Sequence, residues 1–220
     1  YLIIRLSIVN ALLFVIAISA GIRFSLICLI GLLIGYTFER YGFGFAGPWR
    51  RFIRERNAQG IVAQLFAIGL TSVAIQPIIA YAPGSFIGAI APISITMIFG
   101  AFVFGLSMQM IVGCGSGTLV NAGSGNPIAL VVLPLFCLGS FLGTIALPIT
   151  VESTPHILIS LPAILGVEAS VGLTVISLFS LGCVISRFSQ VSLWNQQYLI
   201  AATILASLAI LHVLVAGQPW

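Results

Sequence analysis

Of the 220 residues, 60% are hydrophobic and 5% charged, where a soluble domain carries roughly 25% charged residues. The charged residues are eight arginines and four glutamates, a net charge of +4. That is too sparse for nucleic-acid binding and is of the kind that orients a chain in a bilayer. These figures exclude a soluble globular fold and predict an all-α integral membrane protein.

About 20 predominantly apolar residues are needed to cross the hydrocarbon core. By that measure the chain is expected to hold seven transmembrane or re-entrant segments, near 2–21, 24–38, 60–81, 86–112, 127–149, 163–187 and 198–216, in a single transmembrane domain over 1–220. The first run is too long for a signal-peptide core and lacks a small-residue cleavage site, and since the chain opens on Tyr1, further residues are expected upstream. Gly, Pro and Ser interrupt several spans, as in Ala80-Tyr81-Ala82-Pro83-Gly84-Ser85 and Leu133-Pro134; some spans are therefore expected to be half-helices, with neighbouring protein satisfying the freed backbone. Broken helical elements are expected near 41–60 and 83–126, with no strand pairing in either.

The segment at 38–60, "FERYGFGFAGPWRRFIRERNAQG", alternates glycine with aromatics and then turns basic. It reads either as a second re-entrant element ending in an interfacial helix or as a plain cytoplasmic loop with orienting charges. If "RRFIRER" faces the cytoplasm, alternation of the spans puts Arg5, Arg40 and Arg187 on the same side and leaves only Arg23 opposite. Glu152, His156 and Glu168 then fall outside. Glu39 and Glu55 are expected to pair with nearby arginines. Gln64, Gln76 and Gln109, inside apolar spans, are expected to join helices by hydrogen bonds or to line a path.

Between the fourth and fifth spans lies "GCGSGTLVNAGSGN", residues 113–126, with five glycines, small hydroxyls, one thiol and no charge. Irregular backbone at membrane depth survives only when buried in protein or lining a water-filled path. Glycine lets successive N–H groups converge into an anion-binding concavity. The alternative is that small residues let helices pack closely, with Cys114 a compact buried hydrophobe. The other cysteines, Cys28, Cys137 and Cys183, lie in apolar runs without metal-ligand spacing, so neither disulfide, metal nor other cofactor is expected.

Residues 99–126, "FGAFVFGLSMQMIVGCGSGTLVNAGSGN", resemble the signature of the YeeE/YedE sulphur-transport membrane proteins. There a Gly-Phe-Gly run leads to Gly-Cys-x-x-Gly-Thr and then Gly-x-Gly. "RYGFGFAGPWRR" is similar to the family's first motif, with Gly44 where a cysteine is common. The resemblance covers roughly 35–145. It implies uptake of a reduced sulphur oxyanion, chiefly thiosulfate, through a fold of two inverted repeats with re-entrant half-helices in a bacterial inner membrane. On that pattern 1–190 would be a first repeat and 191–220 the start of a second that is cut off, so a homo-oligomer or a membrane-protein partner is a further expectation.

The residues expected to meet the ion are Cys114, Gly113, Gly115, Ser116, Gly117, Thr118, Gly44 and Phe45. The terminal sulfur of thiosulfate is a soft acceptor, suited to a neutral S–H donor held in an apolar surround, while backbone amides and the hydroxyls of Ser116 and Thr118 meet the oxyanion end. The competing reading is a non-transporting structural subunit of a larger membrane complex built on the same fold. An enzyme using Cys114 as nucleophile is disfavoured, since neither His156 nor His212 is tied to the loop.

Overall fold

The computed structural model describes all residues except 1, 83, 85, 87, 89–91, 112, 154, 159, 219 and 220, and the side chains of 2–6, 8, 150–153 and 156 are not described. The chain folds as α1 (Leu2–Ser19), α2 (Ile22–Tyr41), α3 (Ala46–Glu55), α4 (Gln59–Tyr81), β1 (Ile93–Ser94), α5 (Ile95–Ile111), α6 (Gly115–Gly123), α7 (Pro127–Ser153), β2 (His156–Ile157), α8 (Leu161–Leu165), α9 (Val167–Arg187) and α10 (Gln196–Ala216). Among the described residues six helical segments are long and apolar enough to cross a membrane, and Val9–Ser19 adds a shorter apolar helix. The fold is thus all-α.

Among the described residues the one departure is a two-residue antiparallel pairing of Ile93 with Ile157 and Ser94 with His156. It corrects the expectation that 83–126 holds no strand. The pairing ties the segment before α5 to the segment after α7, a long-range contact that no local pattern announces. Part of the span expected at 86–112 lies outside the described residues, and regular helix begins only at Ile95.

Helix ends follow local chemistry. Gly42 closes α2 in the left-handed conformation, φ 56°, with its N–H on the Phe38 carbonyl, which glycine adopts without steric cost. Asn195 caps α10 by accepting from the Gln197 amide at 3.0 Å, and Asn126 does the same for Ile128 at the start of α7. Pro127 then occupies the first helical position, where its missing N–H costs nothing.

The centre is α10, packed against α2 and α4, with α9 on the other side of α4. In lipid there is little hydrophobic drive between helices, so close backbone approach through small residues takes its place. Ala201, Ala202 and Ala206 of α10 are accordingly buried, together with Ala63 of α4 and Ile30 and Ile34 of α2. By contrast α5 contributes no buried residue. Its Phe99, Phe102 and Phe104 are exposed, the surface a lipid-facing helix presents.

The ends of the bundle differ in charge. Arg51 donates to the Tyr198 hydroxyl at the start of α10 and lies over its ring at 5.5 Å, and the Arg56 carbonyl accepts from Gln190 just past α9. Arg23 caps the opposite end of α10, donating to the carbonyls of Val215 at 2.8 Å and Ala216 at 2.6 Å. The side chains of Arg5, Glu152 and His156 lie outside those described. Glu39, expected to pair with an arginine, instead accepts a hydrogen bond from Ser124 at 2.8 Å.

Candidate functional site

The two segments singled out by composition meet. The first, Phe43-Gly44-Phe45, connects the glycine stop of α2 to the start of α3. Pro48 in the first turn of α3 rests directly on Gly60 of α4, where a Cβ would come within 2.7 Å of the proline ring. That contact sets α3 down on α4 with its N-terminus turned inward. The second segment is the break between α5 and α6. Cys114 is the N-cap residue of α6, extended at φ −84° and ψ −173°, and its carbonyl accepts the Thr118 amide at 2.8 Å.

The depth of this break follows from α7. A Cβ on Gly115 would come within 2.8 Å of the Phe136 ring. Phe136 lies nine residues after Pro127, or about 14 Å along a helix at 1.5 Å per residue. The head of α6 therefore stands level with the middle of α7.

Cys114 is half-buried, and its Sγ lies 3.3 Å from the Ser116 hydroxyl. The hydroxyl two residues on thus lies against the half-buried thiol. The first N–H groups of a helix lack intrahelical partners and carry the positive end of its dipole. Here the sulfur stands at the N-terminus of α6.

A cavity of about 540 Å³ opens between α2, α4 and α10, and its lining includes Gly44, Phe45, Gln64, Ser72, Gln76 and Ser116. Gly44 leaves open space, with nothing within 4 Å of where its Cβ would stand. Gly113 and Thr118, also expected at the ion, are buried against each other, with the Thr118 amide already used by α6. Gly117 is within ordinary contact of the Cys114 sulfur. Cys114 itself stands behind Ser116.

Two amide side chains were read only as interhelical or lining groups. Gln64 proves to donate to the Gly44 carbonyl at 2.7 Å. Gln76 donates to the Ser72 hydroxyl at 2.8 Å and accepts from the fully buried Ser170 at 2.9 Å, joining α4 to α9. The sequence signal for both is an uncharged amide inside an apolar run. Gln109 lies on the exposed face of α5. All four cysteines are free thiols. Among the described residues no group of three His, Cys, Asp or Glu side chains is close enough to hold a metal.

No curated protein and no solved structure matches the chain. A family model described as sulphur transport matches residues 40–219, from the end of α2 through α10, so both segments and every residue lining the cavity except Phe38 lie inside the match. The chain belongs to the sulphur transport family of membrane proteins, as its YeeE/YedE-like motifs predicted.

Proposed function

We propose that the chain carries a reduced sulphur oxyanion, thiosulfate, across a bacterial inner membrane by passage from the cavity past Cys114. The observation that carries this reading is the half-buried Cys114 thiol at the head of α6, held against Ser116, which with Gly44 and Phe45 lines an uncharged cavity. Thiosulfate is a dianion with one soft end. Its oxygens accept from the free amides at the head of α6, while the Cys114 S–H donates to its terminal sulfur. With the Ser116 hydroxyl donating to the sulfur of Cys114, its S–H is polarised into a better donor, as in any chain of hydrogen bonds. No arginine grips the ion at this point, and conduction needs binding weak enough for release.

The break between α5 and α6 serves in this reading as the re-entrant passage that the family resemblance implies. Residues 191–220 are not dispensable to it, since α10 walls the cavity through Leu205, Ala206 and Ala209.

Uptake of labelled thiosulfate by cells lacking other thiosulfate and sulfate importers tests the proposal. Cys114→Ser, a harder and shorter donor, is expected to lower uptake at least about tenfold, the scale of one hydrogen bond. Cys114→Ala is expected to be at least as damaging, and sulfate to compete poorly. Gly44→Cys, for which the open space leaves room, is expected to be tolerated and to raise uptake. Uptake by neither the wild type nor Gly44→Cys would return the chain to the structural-subunit reading.

A further inference from the structure

We infer that Ser72 is a donor to the oxygens of the anion while it occupies the cavity, its hydroxyl aimed by Gln76, which α9 locks in place. This deepens the transport reading and rests on it only in supposing that a sulphur oxyanion enters the cavity.

An uncharged wall holds an anion through hydrogen-bond donors, and the polar side chains lining this cavity are Gln64, Thr71, Ser72, Gln76 and Ser116. All but one have their hydrogens committed. Gln64 Nε2 donates to the carbonyls of Gly44 at 2.7 Å and Phe45 at 3.4 Å. Thr71 donates to the Ala67 carbonyl one turn back. Ser116, in the transport reading, gives its hydrogen to the Cys114 sulfur at 3.3 Å. Gln76 Nε2 donates to the hydroxyls of Ser72 at 2.8 Å and Thr174 at 3.3 Å. Ser72 is the exception. Its oxygen accepts from Gln76, and among the described residues its own hydrogen has no acceptor.

The orientation of the Gln76 amide decides whether that hydrogen stays available. Turned over, the amide would present its oxygen to Ser72 and take the hydrogen itself. Thr174 opposes this. Its hydroxyl hydrogen already goes to the Ser170 carbonyl at 2.7 Å, so toward Gln76 it can only accept, and the amide nitrogen must face it. On the other side the fully buried Ser170 hydroxyl donates to Gln76 Oε1 at 2.9 Å. Both partners stand on α9, one turn apart, and no residue of α9 lines the cavity. The amide is thus held from behind, and a hydroxyl that accepts one hydrogen bond donates the next more strongly. Ser72 lies eight residues beyond Gln64, about 12 Å along α4, and so away from the Gly44 carbonyl that Gln64 holds. A hydroxyl suits the charged oxygens that every sulphur oxyanion carries and leaves the terminal sulfur of thiosulfate to Cys114.

The test is equilibrium titration of the purified full chain in detergent with thiosulfate and with sulfate. Ser72→Ala is expected to weaken both about tenfold, the scale of one hydrogen bond to an anion, since both present oxygens. Ser72→Thr keeps the hydroxyl and is expected to restore most of the loss. Thr174→Val, similar in size and outside the cavity, lets the Gln76 amide turn over and is expected to weaken both anions too, and it carries the test should Ser72→Ala fail to accumulate. Ser177→Ala, at an exposed position one turn further along α9, is the control and leaves both affinities in place. Affinities unmoved by Ser72→Ala or by Thr174→Val overturn the inference, as does a Ser72→Ala effect confined to thiosulfate or a wild type that binds neither anion. A wild type that binds thiosulfate through Ser72 but supports no uptake in cells overturns the transport reading and leaves Ser72 as the donor.

Discussion

At the residue scale the glycines around Cys114 do different work, and the structure separates them. Gly44 faces open space, whereas Gly115 has the Phe136 ring where its Cβ would be. Gly115→Ala must push that ring aside, and overpacking of this kind costs about 1–3 kcal/mol. Since Phe136 is 42% exposed and free to swing outward, the low end of the range is expected. Thermal unfolding in detergent should show the loss, and adding Phe136→Ala should cancel most of it, as contacting residues couple. Equal losses in the single and double variants would mean that the ring is not what limits residue 115. The sequence announced that this stretch is irregular, through its glycine content and lack of charge. It could not say which glycine faces a cavity and which faces a ring, because that depends on α7, reached only after another turn. Gln64 shows the same limit: an amide in an apolar span predicts a partner, but not that the partner is a carbonyl 20 residues back.

At the element scale the helices themselves were the most legible feature. Long apolar runs bounded by Gly42, Pro127 and Gly217 are too long for barrel strands and satisfy their backbone in lipid as helices. What hydropathy could not supply is how α3 sits, since a ten-residue basic amphipathic helix reads equally as loop or cap. Its seat is the contact of Pro48 with Gly60. Gly60→Ala would place a methyl group 2.7 Å from the proline Cβ and 2.8 Å from its Cγ. A proline ring does not swing away, so α3 as a whole must lift. The expected cost is about 2 kcal/mol of stability, with thiosulfate uptake falling further than stability alone explains because Phe45 moves with the helix. Gly139→Ala on α7 is the control. It meets nothing within 4 Å and should be neutral or slightly stabilising, since Ala favours helix over Gly by about 1 kcal/mol. Melting and uptake measured on both variants check the pair.

At the scale of the whole molecule, charge among the described residues is arranged by face rather than by pairs. Arg51 and Arg56 gather at the α9–α10 end and Arg23 caps the other end of α10, the asymmetry the sequence predicted from alternation of its spans. Between these faces the cavity wall carries no charged side chain among the described residues; its polar groups are Gln64, Thr71, Ser72, Gln76 and Ser116. That neutrality has an electrical consequence. A doubly negative ion crossing without a counter-charge feels the full transmembrane voltage, about 2.3 kcal/mol per charge for each 100 mV. At an inside-negative 100 mV, inward movement is opposed by about 4.6 kcal/mol, which at equilibrium holds the internal concentration roughly two-thousand-fold below the external one. Net import by this route therefore needs either rapid consumption of the ion inside the cell or cations travelling with it in the water of the cavity. In vesicles without a consuming enzyme, collapsing an inside-negative potential with a potassium ionophore should raise thiosulfate accumulation steeply. Accumulation indifferent to voltage would mean that cations accompany the ion and that the neutral wall conducts a neutral load.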